Sequence, residues 1–170
     1  VAEYQVADVF FRTNDEPMTK GQVVEGHAHH FSHATICLAK AIKVTQLVPR
    51  SDEAKRLAAD FEATSNELRE AEYGNFTVRT PLILALLTRL RALNDWFGSI
   101  NAQDRDTHFL AMREIILRHD QLRPTIEIKA GVFHKLTALE DGAKYICVYA
   151  NRNASGEVIP NFSGWGASIT

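Results

Sequence analysis

The stretch GHAHHFSHATI, residues 26–36, sets histidines at positions 27, 29, 30 and 33 of a chain that has 7 in all. Along an extended strand successive side chains leave on opposite faces. His27, His29, Phe31 and His33 therefore share one face, and Ala28, His30, Ser32 and Ala34 the other. A His-x-His pair on one face puts two imidazoles side by side, close enough to hold one cation. Two ligands are too few, because a first-row metal takes at least three from the protein. His33 adds one if the strand runs straight, or if a tight turn after Phe31 brings it back. His134, in AGVFHKL at 130–136, is the fourth candidate, three residues after Gly131. The plain alternative is a set of hydrogen-bonded histidines inside a barrel. His30, on the other face, reads as a surface or packing residue.

Around this stretch the chain changes period twice. Residues 1–50 alternate short apolar runs with turn residues, and TICLAKAIKVTQLV at 35–48 is β-branched enough to read as one strand or two. Residues 51–122 turn helical. Ser51 followed by acids is an N-cap signal, and Leu57, Ala58, Phe61, Thr64, Ser65 and Leu68 recur at helical spacing. Thr80 before Pro81 is the stronger start signal for a second helix, which carries Ile83, Leu86, Leu87, Leu90, Leu93 and Phe97 on one stripe and ends at Gly98. A third helix is predicted over about 104–120, burying Phe109, Met112, Ile115 and Ile116 and leaving His108 and His119 on its surface. From 123 to 170 the strand pattern returns. Asp141-Gly142 between TIEIKAGVFHKLTAL and AKYICVYANR predicts a hairpin, VIPNF near 158–162 a last strand, and the Gly/Ser-rich tail a loose arm. The order is β, helical insertion, β. Without 51–122 the remainder has the length of one small β-barrel.

Composition narrows the classes. Of 170 residues, 45% are hydrophobic and 24% charged with a net charge of −2, which is ordinary globular chemistry and gives nucleic acid no basic surface. The apolar run 81–87 meets Arg89 and Arg91 long before the roughly 20 residues a membrane span needs. The N-terminal VAEYQVADVF has acids where a signal peptide is basic, which makes a cytoplasmic location the default. Cys37 and Cys147 sit in apolar strand contexts and read as buried thiols. No nucleophile elbow, phosphate loop or dinucleotide fingerprint is present.

The histidine pattern resembles the cupin superfamily. Its first motif is a glycine, five residues, His-x-His, three or four residues, a glutamate and later a glycine. Gly21, His27 and His29 match, His33 takes the place of the glutamate, and Lys40 that of the later glycine. In the second motif, Pro-x-Gly-x-x-His followed by Asn, Gly131 and His134 match while Lys129 and Ala138 depart. The resemblance covers the β segments, and the insertion falls between the motifs, where cupins vary in length.

This resemblance implies a mainly β fold with a helical insertion (α+β): a double-stranded β-helix, or jelly roll, plus a three-helix insert. It also implies one divalent transition metal, Zn, Fe, Ni or Mn, on His27, His29, His33 and His134. Four neutral ligands leave the full charge on the ion, making it a stronger Lewis acid than one bound by a carboxylate. Glu127, Tyr145, Tyr149 and Arg152 flank His134 and are candidates for substrate or supporting contacts. Two functions stand side by side. One is a dioxygenase- or isomerase-like enzyme of a small oxygenated molecule. The other is a non-catalytic assembly component whose segment 51–122 contacts a protein partner, with a homodimer or larger assembly compatible with both. TALEDGAKYICVYANR at 137–152 is similar to small cupins of tailed phages, which gives the second function a virion location.

Overall fold

The computed structural model describes residues 2–6, 9–29, 32–71, 75–100, 104–122 and 124–150. Arg152, His30, the strand expected near 158–162 and the tail lie outside these residues.

The strands are β1 (Ala2–Val6), β2 (Val9–Thr13), β3 (Val23–His27), β4 (His33–Ala39), β5 (Ala41–Pro49), β6 (Phe109–Arg118), β7 (Thr125–Ile128), β8 (Phe133–Ala138) and β9 (Lys144–Ala150). They form two antiparallel sheets, ordered β1-β2-β9-β4-β7 and β3-β8-β5-β6. From β2 onward the chain crosses between sheets at every connection except β5 to β6, which pair as neighbours in one sheet. That order is a jelly roll, with β1 added at one edge. The helical insertion hangs in the β5–β6 connection.

Sheet crossing overturns the hairpin expected at Asp141-Gly142. β8 pairs with β3 and β5, whereas β9 pairs with β2 and β4, so the turn carries the chain from one sheet to the other. Gly142 still needs its glycine, at φ 84°, and its N–H donates to Met18 O at 2.9 Å. The stretch 35–48 divides into β4 and β5 at Lys40, which stands at φ 61°.

Two long helices fill the insertion. Helix α1 (Asp52–Glu70) starts where Ser51 predicts, with the Ser51 hydroxyl accepting from Ala54 N at 3.1 Å. Helix α2 (Phe76–Ser99) starts earlier than Thr80: Asn75 is its N-cap and Pro81 lies inside it. The proline signal misleads because the helix runs through Pro81, although its ring leaves Thr77 O without the N–H of a regular helix and crowds that carbonyl. Arg79, fully buried, closes the joint between the helices by donating from Nη1 to Leu68 O (2.9 Å) and Ala71 O (2.6 Å), carbonyls at the end of α1. The expected third helix is a single turn, α3 (Arg105–His108), followed by β6. Phe109 is buried, but Met112 and Ile116 are more than half exposed, at 58% and 53%. His108 binds the Ser51 hydroxyl through Nδ1 at 2.7 Å, and His119 lies in the turn after β6 with Nδ1 3.1 Å from Lys40 O.

The two larger apolar clusters lie on opposite sides of the second sheet. Between the sheets pack Met18, Ile42, Val44, Leu117, Ile126, Ile128 and Leu136. Outside, the helices bring Phe61, Leu86, Leu90, Leu93 and Phe97 onto Phe109 and Phe133. Alternation along β8 divides the two environments: Phe133 faces the helices and His134 the interior.

Candidate metal centre

His27 ends β3 and stands directly across from His134 on β8. The β3–β8 register is irregular between Val24 and His27, which re-aims the end of the strand. His29 follows two residues on, and its carbonyl accepts from Gly131 N at 2.8 Å. Gly131 is at φ 77°, and a Cβ there would lie 2.9 Å from the Phe61 ring, so the motif glycine answers to both backbone and space. His33 opens β4 in the other sheet, paired with Ile128. The histidines thus reach one cavity from both walls.

That cavity has a volume of about 410 Å³ and is lined by Arg12, the four histidines, Tyr145, Tyr149 and Cys147, with Val24 and Leu136 supplying apolar wall. One nitrogen each from His27, His29 and His134 lie within 4.8 Å of one another. His33 stands beside this trio, its ring centre 5.0 Å from those of His29 and His134. All four are buried, none more than 5% exposed.

The donor set fits a transition metal. His134 Nδ1 lies 2.9 Å from Val132 O, and a carbonyl can only accept, so Nδ1 carries the proton and the Nε2 lone pair is left as the ligand atom. Burial lowers the pKa of His134 to about 4 and that of His33 to about 3, and holds His29 well below the ordinary range, with neighbouring histidines adding to the effect on His29 and His33. Near neutral pH these three are neutral imidazoles, the form that coordinates. A metal held here would rest on His27, His29 and His134, with His33 adjacent.

The other expected residues divide. Tyr145 and Tyr149 line the cavity. Burial pushes Tyr145 up to about 12, so its phenol stays protonated, and Tyr149 stacks on Phe10 with ring centres 5.3 Å apart. Glu127 is exposed on β7, while its neighbours Ile126 and Ile128 point inward. Cys147, against the Thr35 hydroxyl at 3.4 Å, is pushed by burial to about 11 and is a thiol, as is Cys37; both are free cysteines.

One residue that no sequence motif singles out lines the cavity, and a second contacts the segment that carries two of its histidines. Arg12 lies across from Cys147 on the inward face of β2. Its signal was a charge sharing a strand face with Phe10 in VFFRT. Asn94, in α2, binds the backbone of Ala28 between the first two histidines. Nothing in the sequence announces a contact between residues so far apart.

No family model and no curated protein matches the chain. Among solved structures it is similar to a conserved Streptococcus pyogenes protein of unknown function, at 13% identity over 88% of this chain and 70% of that one, with a TM-score of 0.41. It is also similar to a cupin-2 domain containing protein from Shewanella frigidimarina (11% identity, 86% and 74%, TM-score 0.38) and to KdgF from Halomonas sp. (10%, 91% and 92%, TM-score 0.37). Strand order, an insertion between β5 and β6, and two histidine motifs meeting between the sheets give this chain the cupin-type jelly-roll fold.

Proposed function

We propose that the chain is a metal-dependent cupin enzyme that converts a small oxygenated molecule, in the manner of a dioxygenase or isomerase. The observation that carries this reading is the meeting of three buried imidazole nitrogens within 4.8 Å at the wall of a cavity large enough for a small substrate. A divalent ion, Zn, Fe, Ni or Mn, supplies Lewis acidity toward a carbonyl or another oxygen ligand when bound.

The remaining chemistry belongs to the chain's own side chains. The described lining has one guanidinium, Arg12, and no carboxylate, so the wall favours an anionic oxygen substituent. The Tyr145 phenol, protonated at working pH, donates a hydrogen bond without giving up its proton. Val24 and Leu136 keep part of the wall dry, which strengthens each polar contact beside them.

Metal analysis of the purified protein tests the reading, with a His27→Ala/His134→Ala double variant beside it. The expected result is close to one metal per chain, lost in the folded variant. Absence of metal in both, and no Co(II) uptake on addition, would sink the enzyme.

A second reading, a non-catalytic assembly component, rests on a different observation. Leu110, Met112 and Ile116 on β6, within the segment 51–122, are each more than half exposed.

A further inference from the structure

We propose that Asn94 is a positioning residue for the metal ligands, through which helix α2 sets the geometry of His27 and His29. The inference rests on the metal reading above and adds to it a role for the insertion.

Strand β3 ends at His27, so the ladder does not continue through Ala28. Ala28 is fully buried, and both of its backbone groups go to a single side chain 66 residues away. Its N–H donates to Asn94 Oδ1 at 3.0 Å, and its carbonyl accepts from Asn94 Nδ2 at 3.1 Å. The amide stands where a neighbouring strand would stand. Because Ala28 separates the two histidines, the torsions on either side of it decide where both imidazoles point.

A second contact fixes α2 against the same segment. Phe97, one turn after Asn94, rests on Gly26, where a Cβ would lie only 2.6 Å from the ring. Gly26 therefore allows the helix the approach that Asn94 needs. On the far side, the bond from Gly131 N to His29 O holds the segment to the turn before β8. Helix α2 holds residues 26–28 and the β8 turn holds 29, so the ligands stand in place before an ion arrives.

Without Asn94, two buried backbone groups lose their partner, and the segment relaxes to recover other hydrogen bonds. Supporting contacts of this kind change metal affinity by about tenfold to a hundredfold when removed.

The test is Co(II) titration of the metal-free full chain, well below its melting temperature, following affinity and the visible ligand-field bands. Wild type is compared with Asn94→Ala, Asn94→Asp and, as a control on the same helix, Ser99→Ala. The expected result is binding weakened at least tenfold with altered bands in Asn94→Ala, and no change in Ser99→Ala. Asn94→Asp, which can accept from Ala28 N–H but cannot donate to the carbonyl, falls between, and it carries the test if Asn94→Ala does not fold. Unchanged affinity and bands in both Asn94 variants, even with a lowered melting temperature, would make the contact merely structural and overturn the proposal. Wild type that takes up no Co(II) would instead overturn the metal reading, and the role of Asn94 in it.

Discussion

Lys40 occupies the place where the cupin motif has its later glycine, and it takes the left-handed backbone conformation that a glycine adopts without strain, at φ 61°. A side chain costs about 1–2 kcal/mol in that region, partly offset by the roughly 0.5–1 kcal/mol of extra entropy that glycine loses on folding. Lys40→Gly is therefore expected to stabilise the chain by about 0.5–1 kcal/mol, whereas Lys40→Ala gains nothing. Urea unfolding of the three proteins checks this, and a glycine variant no more stable than the alanine variant would refute it. Other residues in the motifs were legible for similar reasons. The histidines converge on one cavity as the resemblance implies, with Gly131 in the turn before β8, but not along one strand face: β3 ends at His27, and His33 opens β4 in the other sheet. Glu127 did not follow, although TIEI alternates Ile126 and Ile128 inward and so turns the glutamate to solvent. Closeness to a ligand in sequence does not bring a charge close to it in space, and Glu127 takes the other reading open to it, a solvated strand face.

At the scale of elements, β6 shows why part of the fold was hidden. Phe109, Met112 and Ile115 fall three apart and so mimic a helix. In the structure the strand carries an extra residue where its register against β5 shifts, with Gln46 opposite Arg113 and Leu47 opposite Ala111. That bulge breaks the alternation by which a strand is recognised. Ser51 and its acids, by contrast, marked α1 correctly because a cap is a local interaction. What no local pattern conveys is the crossing between sheets, and so Asp141-Gly142 passed for a hairpin. The strand has a further consequence as the last in its sheet, with Leu110, Met112 and Ile116 exposed. Open apolar edges invite pairing, and the second functional reading requires it. Sedimentation velocity is expected to show concentration-dependent self-association of the wild type, shifted toward monomer by Met112→Lys/Ile116→Lys. A wild type that stays monomeric at high concentration would remove the support for an assembly role.

For the whole molecule, the histidine cavity couples stability to pH. His29, His33 and His134 have folded pKa values below the 6.5 of an unperturbed imidazole, lowered by burial, to about 3 for His33 and about 4 for His134. Below pH 6.5 the unfolded chain therefore binds more protons than the folded one, so stability falls as pH falls and is level above that point. Each group contributes up to about 1.4 kcal/mol per pH unit across this window. Between pH 6.5 and 5 most carboxylates remain ionised, so the slope there reports mainly the imidazoles. Metal-free protein is expected to lose a few kcal/mol over that interval, a large share of the roughly 5–15 kcal/mol typical of a domain. His33→Leu removes one buried imidazole and should flatten the slope, whatever it does to stability at neutral pH. Bound metal should delay the loss, because protons must then displace the ion, and the acid midpoint should move down as free metal rises. Chemical unfolding at a series of pH values, with and without Co(II), measures both effects. A flat profile in the metal-free protein from pH 7 to 5 would mean that the histidines accept protons in the folded state. The cavity would then be wet, and poorly suited to hold a cation in place.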